Sequence, residues 1–287
     1  MNGTVQAGRL DKGGRQAGQG RSTLRRFPAC ADRFQDAASR RLIDELSQWV
    51  AARYSRELEE RPSKHVYIRL LPPEVAEKMD RIRDHGLIHQ AILRQFGADH
   101  VIVPMKHTDE LYISHYNKDR GGDQGLFDRH YDGNLRFLSA GTVVRSLIYL
   151  QSDASYKVVF ADSGIEKAFA TYDFGLLDFH RELHWVEGEY RPGGEQRILL
   201  KCNYLVVPRN AGLTRQLLMG ANTGVFYVVK AAMEYSKSPK NPLQRFIGIL
   251  CNVFRQLNNV HPFLPLGLMA LVLAGAGWGL LQLFRQA

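Results

Sequence analysis

Cysteine is scarce in this chain of 287 residues: Cys30, Cys202 and Cys251 are far apart and odd in number. They draw no disulfide framework, so a reducing compartment is the natural expectation. The N-terminus lacks an apolar run; residues 1–26 are rich in Gly, Gln and Arg, so no secretory signal is expected. That stretch also lacks an amphipathic period, which predicts a disordered basic tail. Acidic residues are short at both ends. Residues 1–26 hold six Lys/Arg against one Asp, and residues 209–287 hold eight against one Glu. Of a formal net charge of +9, the middle of the chain (27–208) is therefore left with about −3. A nucleic-acid reader carries its basic stripe on the folded module, so nucleic acid is not an expected partner.

What is present divides the chain into blocks. Residues 32–60 place Phe34, Ala37, Leu42, Leu46, Trp49, Val50 and Tyr54 at helical spacing, with Asp32 as the expected cap. HVYIRLL (65–71) predicts a strand ending at Pro72-Pro73, and 74–96 returns to a helical period that stops at Gly97. From 100 to 207 the pattern changes to period two. HVIVPM, ELYISHY, VVRSLIYL, YKVVFA, FATYDFGLLDF and QRILLKCNYLVV are short β-rich runs separated by turn residues. Two helices followed by many short strands predict a β-sandwich or barrel with helices on its outside.

After Pro208 the pattern is helical again, over Thr214–Tyr235 and Leu243–Leu257. This block, 209–260, is expected to be a basic, membrane-proximal segment. Residues 262–284 then run without one charged side chain, long enough to span a bilayer as a C-terminal tail anchor. Lys237, Lys240, Arg245 and Arg255 on its N-terminal side predict a single-pass protein with its body in the cytosol. Gly275 and Gly279 form G-x-x-x-G within the run. Helix pairing into a homodimer is one reading, and ordinary use of small residues in membrane helices is the other.

The polar residues that carry chemistry lie in the strand-rich block. His130 and Asp132 are separated by one residue, so on a strand both point from one face. They follow the Gly-rich stretch 118–125; His184 opens a later extended segment and Arg197 opens the last strand. Two imidazoles and a carboxylate suit Fe(II) and leave positions open for small ligands, whereas thiolates would favour zinc or clusters. An Arg offers a fixed fork for a carboxylate. Simpler readings exist for each: a polar turn beside Gly133, a strand-edge charge at Arg197, and His180 in place of His184. His85 and His89, four apart, are expected to be solvated helix residues, and Tyr149, Phe160 and Phe179 to be core.

The order LYISHY (111–116), HYD (130–132), SLIYL (146–150), GLLDFHRELHWV (175–186) and GGEQRILL (193–200) resembles the iron- and 2-oxoglutarate-dependent dioxygenases, particularly the prolyl-hydroxylase-like group. The resemblance covers roughly 100–207, within a dioxygenase domain of 27–208. It implies an α+β fold with a double-stranded β-helix (jelly-roll) core, flanking helices and, from the apolar run, a C-terminal transmembrane helix. It implies Fe(II) held by His130, Asp132 and His184, and 2-oxoglutarate gripped by Arg197 with Tyr116 in contact. O₂ is the implied co-substrate and ascorbate the expected reductant. The stretch from His184 to Arg197 is longer than the family's, which keeps Arg191 as an alternative to Arg197. The expected activity is hydroxylation of a peptide side chain, lipid or small molecule at the cytosolic membrane face, with release of succinate and CO₂. Two other readings stay open: a non-catalytic jelly-roll scaffold, and a cupin-type metalloenzyme that does not use 2-oxoglutarate.

Overall fold

A computed structural model describes residues 26–60, 63–115, 127–133, 141–188, 196–237, 239–261 and 264. Tyr116, Arg191, Gly275, Gly279, nearly all of the expected tail anchor and all but Arg26 of the basic tail lie outside them. Among the described residues no helix is long and apolar enough to cross a membrane.

Among the described residues ten strands and five α-helices follow in chain order. They are β1 (Cys30–Arg33), α1 (Ala37–Glu60), β2 (Ser63–Tyr67), α2 (Pro73–Arg83), α3 (Gly86–Phe96), β3 (His100–Pro104), β4 (Glu110–Ser114) and β5 (Thr142–Gln151). Then come β6 (Asp153–Phe160), β7 (Ile165–Ala170), β8 (Asp173–Asp178), β9 (His184–Glu187), β10 (Arg197–Pro208), α4 (Gly212–Lys237) and α5 (Pro242–Val260). The major sheet runs β1-β8-β5-β10-β4-β2, with β3 also paired to β10, and the minor sheet runs β7-β6-β9. Every pairing is antiparallel. Two antiparallel sheets with helices on the outside are consistent with the jelly-roll expected from the sequence.

Local chemistry explains where the elements begin and end. Asp32 caps nothing, because it lies within β1, paired opposite Phe174. The cap of the first helix is Asp36, whose carboxylate accepts from the Ser39 amide at 2.7 Å. The single helix expected over 74–96 is two, broken at Asp84-His85. Pro73 occupies the first turn of α2, the His85 ring accepts from the Leu87 amide to start α3, and Gly97 at φ 90° ends it. FATYDFGLLDF is likewise two strands, β7 and β8, joined by a turn with Tyr172 at φ 74°.

The core falls on the two sides of the major sheet. Alternate residues of β10 (Ile198, Leu200, Cys202, Tyr204, Val206) pack with Phe34, Ile43, Leu46, Met79 and Ile92 of the helical layer. On the opposite side Tyr112, Leu147, Tyr149, Leu177 and Leu199 meet Val158, Phe160, Phe169 and Val186 of the minor sheet. α4 covers the far end of that inner side, Leu218 and Phe226 resting on Val143, Leu205 and Val207.

Candidate metal and co-substrate site

His130 and His184 face each other as an antiparallel pair. Each amide donates to the other's carbonyl, at 3.1 and 3.0 Å, and the ring centroids are 4.5 Å apart. This bridge, rather than a continuous strand through 130–132, sets their direction. The Nδ1 of His130 lies 2.7 Å from the Asp128 carbonyl, and that of His184 lies 3.1 Å from the Glu182 carbonyl. A carbonyl only accepts, so Nδ1 carries a proton in both rings and Nε2 is the atom turned toward Asp132. Asp132 sits between those atoms, Oδ1 3.7 Å from Nε2 of His130 and Oδ2 3.6 Å from Nε2 of His184. One ligand atom from each residue lies within 4.8 Å of the others.

The electrostatics keep the donors ready. Burial pushes the His184 imidazole down to about 4 against the pull of Asp132, so it is neutral at ordinary pH. Burial alone would raise the Asp132 carboxyl. The guanidinium of Arg145, with the Lys201 ammonium behind it, overcomes it and holds Asp132 well below the usual carboxylate range. Arg145 is the closer of the two, Nη1 lying 2.8 Å from Asp132 Oδ2. Arg145 is itself fixed, donating through Nε to Asn203 at 3.0 Å and lying 4.3 Å over the Phe179 ring. Two Nε2 atoms and an ionised carboxylate that face one another, each oriented by a second partner, form a donor set that fits a divalent iron.

The strand register sets the rest of the inner wall. Arg197, Leu199, Lys201 and Asn203 are alternate residues of β10 and share one face. Arg197 is buried, and its Nη2 donates to the Tyr149 hydroxyl at 3.3 Å. The Tyr149 ring is stacked on Phe169 at 4.6 Å. Tyr149 is core, as expected, but its hydroxyl also holds the guanidinium, which the sequence reading missed. Lys201 lies 4.4 Å over the Tyr112 ring, and burial lowers its ammonium to about 8 against the pull of Glu110 and Asp132. Period two counted from Arg197 would have found Lys201.

The alternatives sit elsewhere. His180 lies outside the three-residue group; its Nε2 is 2.9 Å from Asn222 Oδ1 on α4. The Asn222 amide nitrogen donates to the Leu218 carbonyl, which orients its oxygen toward His180. A side chain on Gly133 would run into the His180 ring, so this glycine lets the loop after Asp132 approach that far. His85 and His89 are half-buried rather than solvated: His85 caps α3 and His89 sits edge-on to Tyr204.

No family model and no curated protein matches the chain. Solved structures do resemble it. A Trichoplax adhaerens prolyl hydroxylase in complex with a hypoxia inducible factor oxygen degradation domain peptide is 15% identical, covering 62% of this chain and 83% of that one, at TM-score 0.42. A Pseudomonas putida prolyl-4-hydroxylase is 12% identical over 62% and 92%, at TM-score 0.37. HygX from Streptomyces hygroscopicus, solved with nickel, 2-oxoglutarate and hygromycin B, is 12% identical over 66% and 84%, at TM-score 0.35.

Proposed function

We propose that this protein is an Fe(II)/2-oxoglutarate-dependent oxygenase that hydroxylates a C–H bond of its substrate. The observation that carries the reading is the triad itself: Nε2 of His130, Nε2 of His184 and the Asp132 carboxylate converge, with both Nδ1–H groups tied to carbonyls. Iron with 2-oxoglutarate and O₂ supplies the oxidant and yields succinate and CO₂. The chain's own residues position the reactants. Arg197, steadied by Tyr149, offers its fork to the distal carboxylate of the co-substrate. Lys201 and Arg145 add positive charge to the same inner wall, which suits a dianion entering beside Asp132. The minor sheet, through Phe160, Phe169 and Val186, closes the opposite side with apolar surface and excludes water.

The reading extends to place. The uncharged run 262–284 would tether the body to the cytosolic side of a membrane, where a peptide side chain, a lipid or a small molecule would be hydroxylated. Ascorbate would keep the iron reduced between turnovers. Release of succinate from 2-oxoglutarate, measured with Fe(II) and ascorbate, tests the chemistry. It should fall to background in His130→Ala and Asp132→Ala and persist in His85→Ala. Turnover unchanged in both ligand variants would overturn the assignment.

One observation favours a second reading, a non-catalytic scaffold. The Arg145–Asp132 pair at 2.8 Å already neutralises the carboxylate without any metal. Calorimetric titration with Mn(II) separates the two: micromolar binding that His184→Ala abolishes supports the oxygenase, and no binding supports the scaffold.

A further inference from the structure

α5 turns its apolar side away from the protein. It packs on α4 with Gly248 buried and Gln244 half-buried. Leu243, Phe246, Ile249, Val253 and Val260 are instead 66%, 59%, 57%, 38% and 77% exposed. Their spacing of three, three, four and seven residues puts them in one stripe along the helix. A surface helix ordinarily buries such a stripe against its own core, so five large apolar residues facing outward mark a surface built to be covered.

The chemistry around the stripe selects what covers it. No acidic residue follows Glu234, and the charged residues of 235–261 are Lys237, Lys240, Arg245 and Arg255, all basic. Lys240 and Arg245 are exposed beside the stripe. The uncharged run 262–284 begins two residues after the helix ends. An anionic bilayer offers acyl chains to the stripe, headgroups to the cations and a destination for the run that follows. We propose that α5 lies in the plane of an anionic membrane surface, with Leu243, Phe246, Ile249, Val253 and Val260 among the acyl chains and Lys240 and Arg245 at headgroup level.

The attachment is stiff. α4, on which α5 rests, is bonded to the body of the protein by Asn222 to His180 at 2.9 Å, by the Tyr227 hydroxyl to the His107 carbonyl at 2.8 Å, and by Lys230 to the buried Glu110 at 2.8 Å. A helix laid flat on the bilayer therefore holds the barrel at a fixed attitude to the surface, not at the end of a loose tether. The surface assignment does not depend on the metal chemistry.

The test uses the full chain in vesicles of mixed phosphatidylserine and phosphatidylcholine, with tryptophan introduced singly as Phe246→Trp, Ile249→Trp or Gln244→Trp. Lipids brominated along the acyl chain should extinguish the emission added at 246 and 249 and leave that at 244. Loss at all three positions would mean a helix immersed all round and would overturn the proposal. Retention at all three would do the same, and sedimentation at dimer mass would then assign the stripe to a second copy of the chain. Equal quenching in vesicles of phosphatidylcholine alone would remove the role given to the cations. Turnover of 2-oxoglutarate in the same vesicles reads the metal site separately, so failure of either proposal is distinguishable.

Discussion

The two faces of β10 are made by the same twelve residues and do different work. Ile198, Leu200, Cys202 and Val206 are buried against the helical layer, where volume and apolarity are all that is required. Tyr204 joins them because its hydroxyl finds the Arg83 carbonyl at 2.8 Å. On the inner face every polar group needs its own partner. Arg197 has Tyr149, and Asn203 bonds both Thr108 and Asp109. Damage to the outer face should therefore be felt as stability, and damage to the inner face as ligand binding. Of the three polar residues that β10 carries along this face, Arg197 and Asn203 are hydrogen-bonded, and Lys201 rests on the Tyr112 ring.

The contrast can be broken most forcefully from outside. Leu200→Ala removes a fully buried side chain and should cost about 2–5 kcal/mol. That is a large part of the roughly 5–15 kcal/mol a domain has in total. The urea midpoint should fall while Mn(II) affinity, measured where the variant is folded, stays unchanged. An altered metal affinity would show that the faces are not separable.

His180 sharpens the same comparison, since it lies where the inner face meets α4. Burial lowers its imidazole to about 4, from 6.5 in the unfolded chain, although the Asn222 oxygen pulls the other way. On acidification the unfolded state takes up the proton first. The contribution of a neutral His180 is thus complete above about pH 6.5 and is lost as pH falls toward 4, to the extent of about 3 kcal/mol. Urea midpoints at pH 7 and pH 5 should differ less in His180→Gln than in the parent. Identical differences would assign the acid sensitivity to other groups.

Much of this architecture was legible in the order of residues, and the failures have physical causes. Period two located the strands from 100 to 207, because one apolar face per strand is what a sandwich demands. The link between His130, Asp132, His184 and Arg197 rested on their order; spacing alone cannot say that residues 54 apart form a bridged pair. β1 was invisible because Cys30–Arg33 is a four-residue edge strand of half-buried residues with no apolar alternation. The break at Asp84-His85 was hidden because a histidine ring, not a usual capping residue, starts the next helix. Arg145 was passed over as one polar residue in VVRSLIYL, since nothing local shows that Asp132 will come to it. Tyr149 was read by size alone, and its hydroxyl mattered only once the register placed Arg197 beside it.

Within the inner face, Arg197→Ala should weaken 2-oxoglutarate without unfolding the protein. Charge-assisted hydrogen bonds contribute about 1.5–3 kcal/mol, which corresponds to roughly a tenfold to hundredfold rise in the co-substrate concentration for half-maximal succinate release. An unchanged concentration dependence would take the co-substrate carboxylate away from Arg197 and return it to Arg191, whereas no succinate release from the parent would point to a cupin-type enzyme with no need of 2-oxoglutarate.

The finest test is Lys201→Met, which keeps the length of the side chain and removes its charge. Among the described residues Lys201 has the Tyr112 ring at 4.4 Å but no hydrogen-bonded or ion-paired partner. Relieving a desolvated ammonium favours the fold, while losing the ring contact costs about 0.5–2 kcal/mol, so the net change at pH 7 should be within about 1 kcal/mol of zero. The pH dependence is more telling. The folded ammonium titrates near 8 and the unfolded one near 10.5, so the parent gains stability as pH rises between those values. In Lys201→Met that gain should shrink, measured as urea midpoints at pH 7.5 and 9.5. A variant with the parent's full gain would place Lys201 in water, and the inner wall would then lose one of the three cations that make it suitable for a dianion.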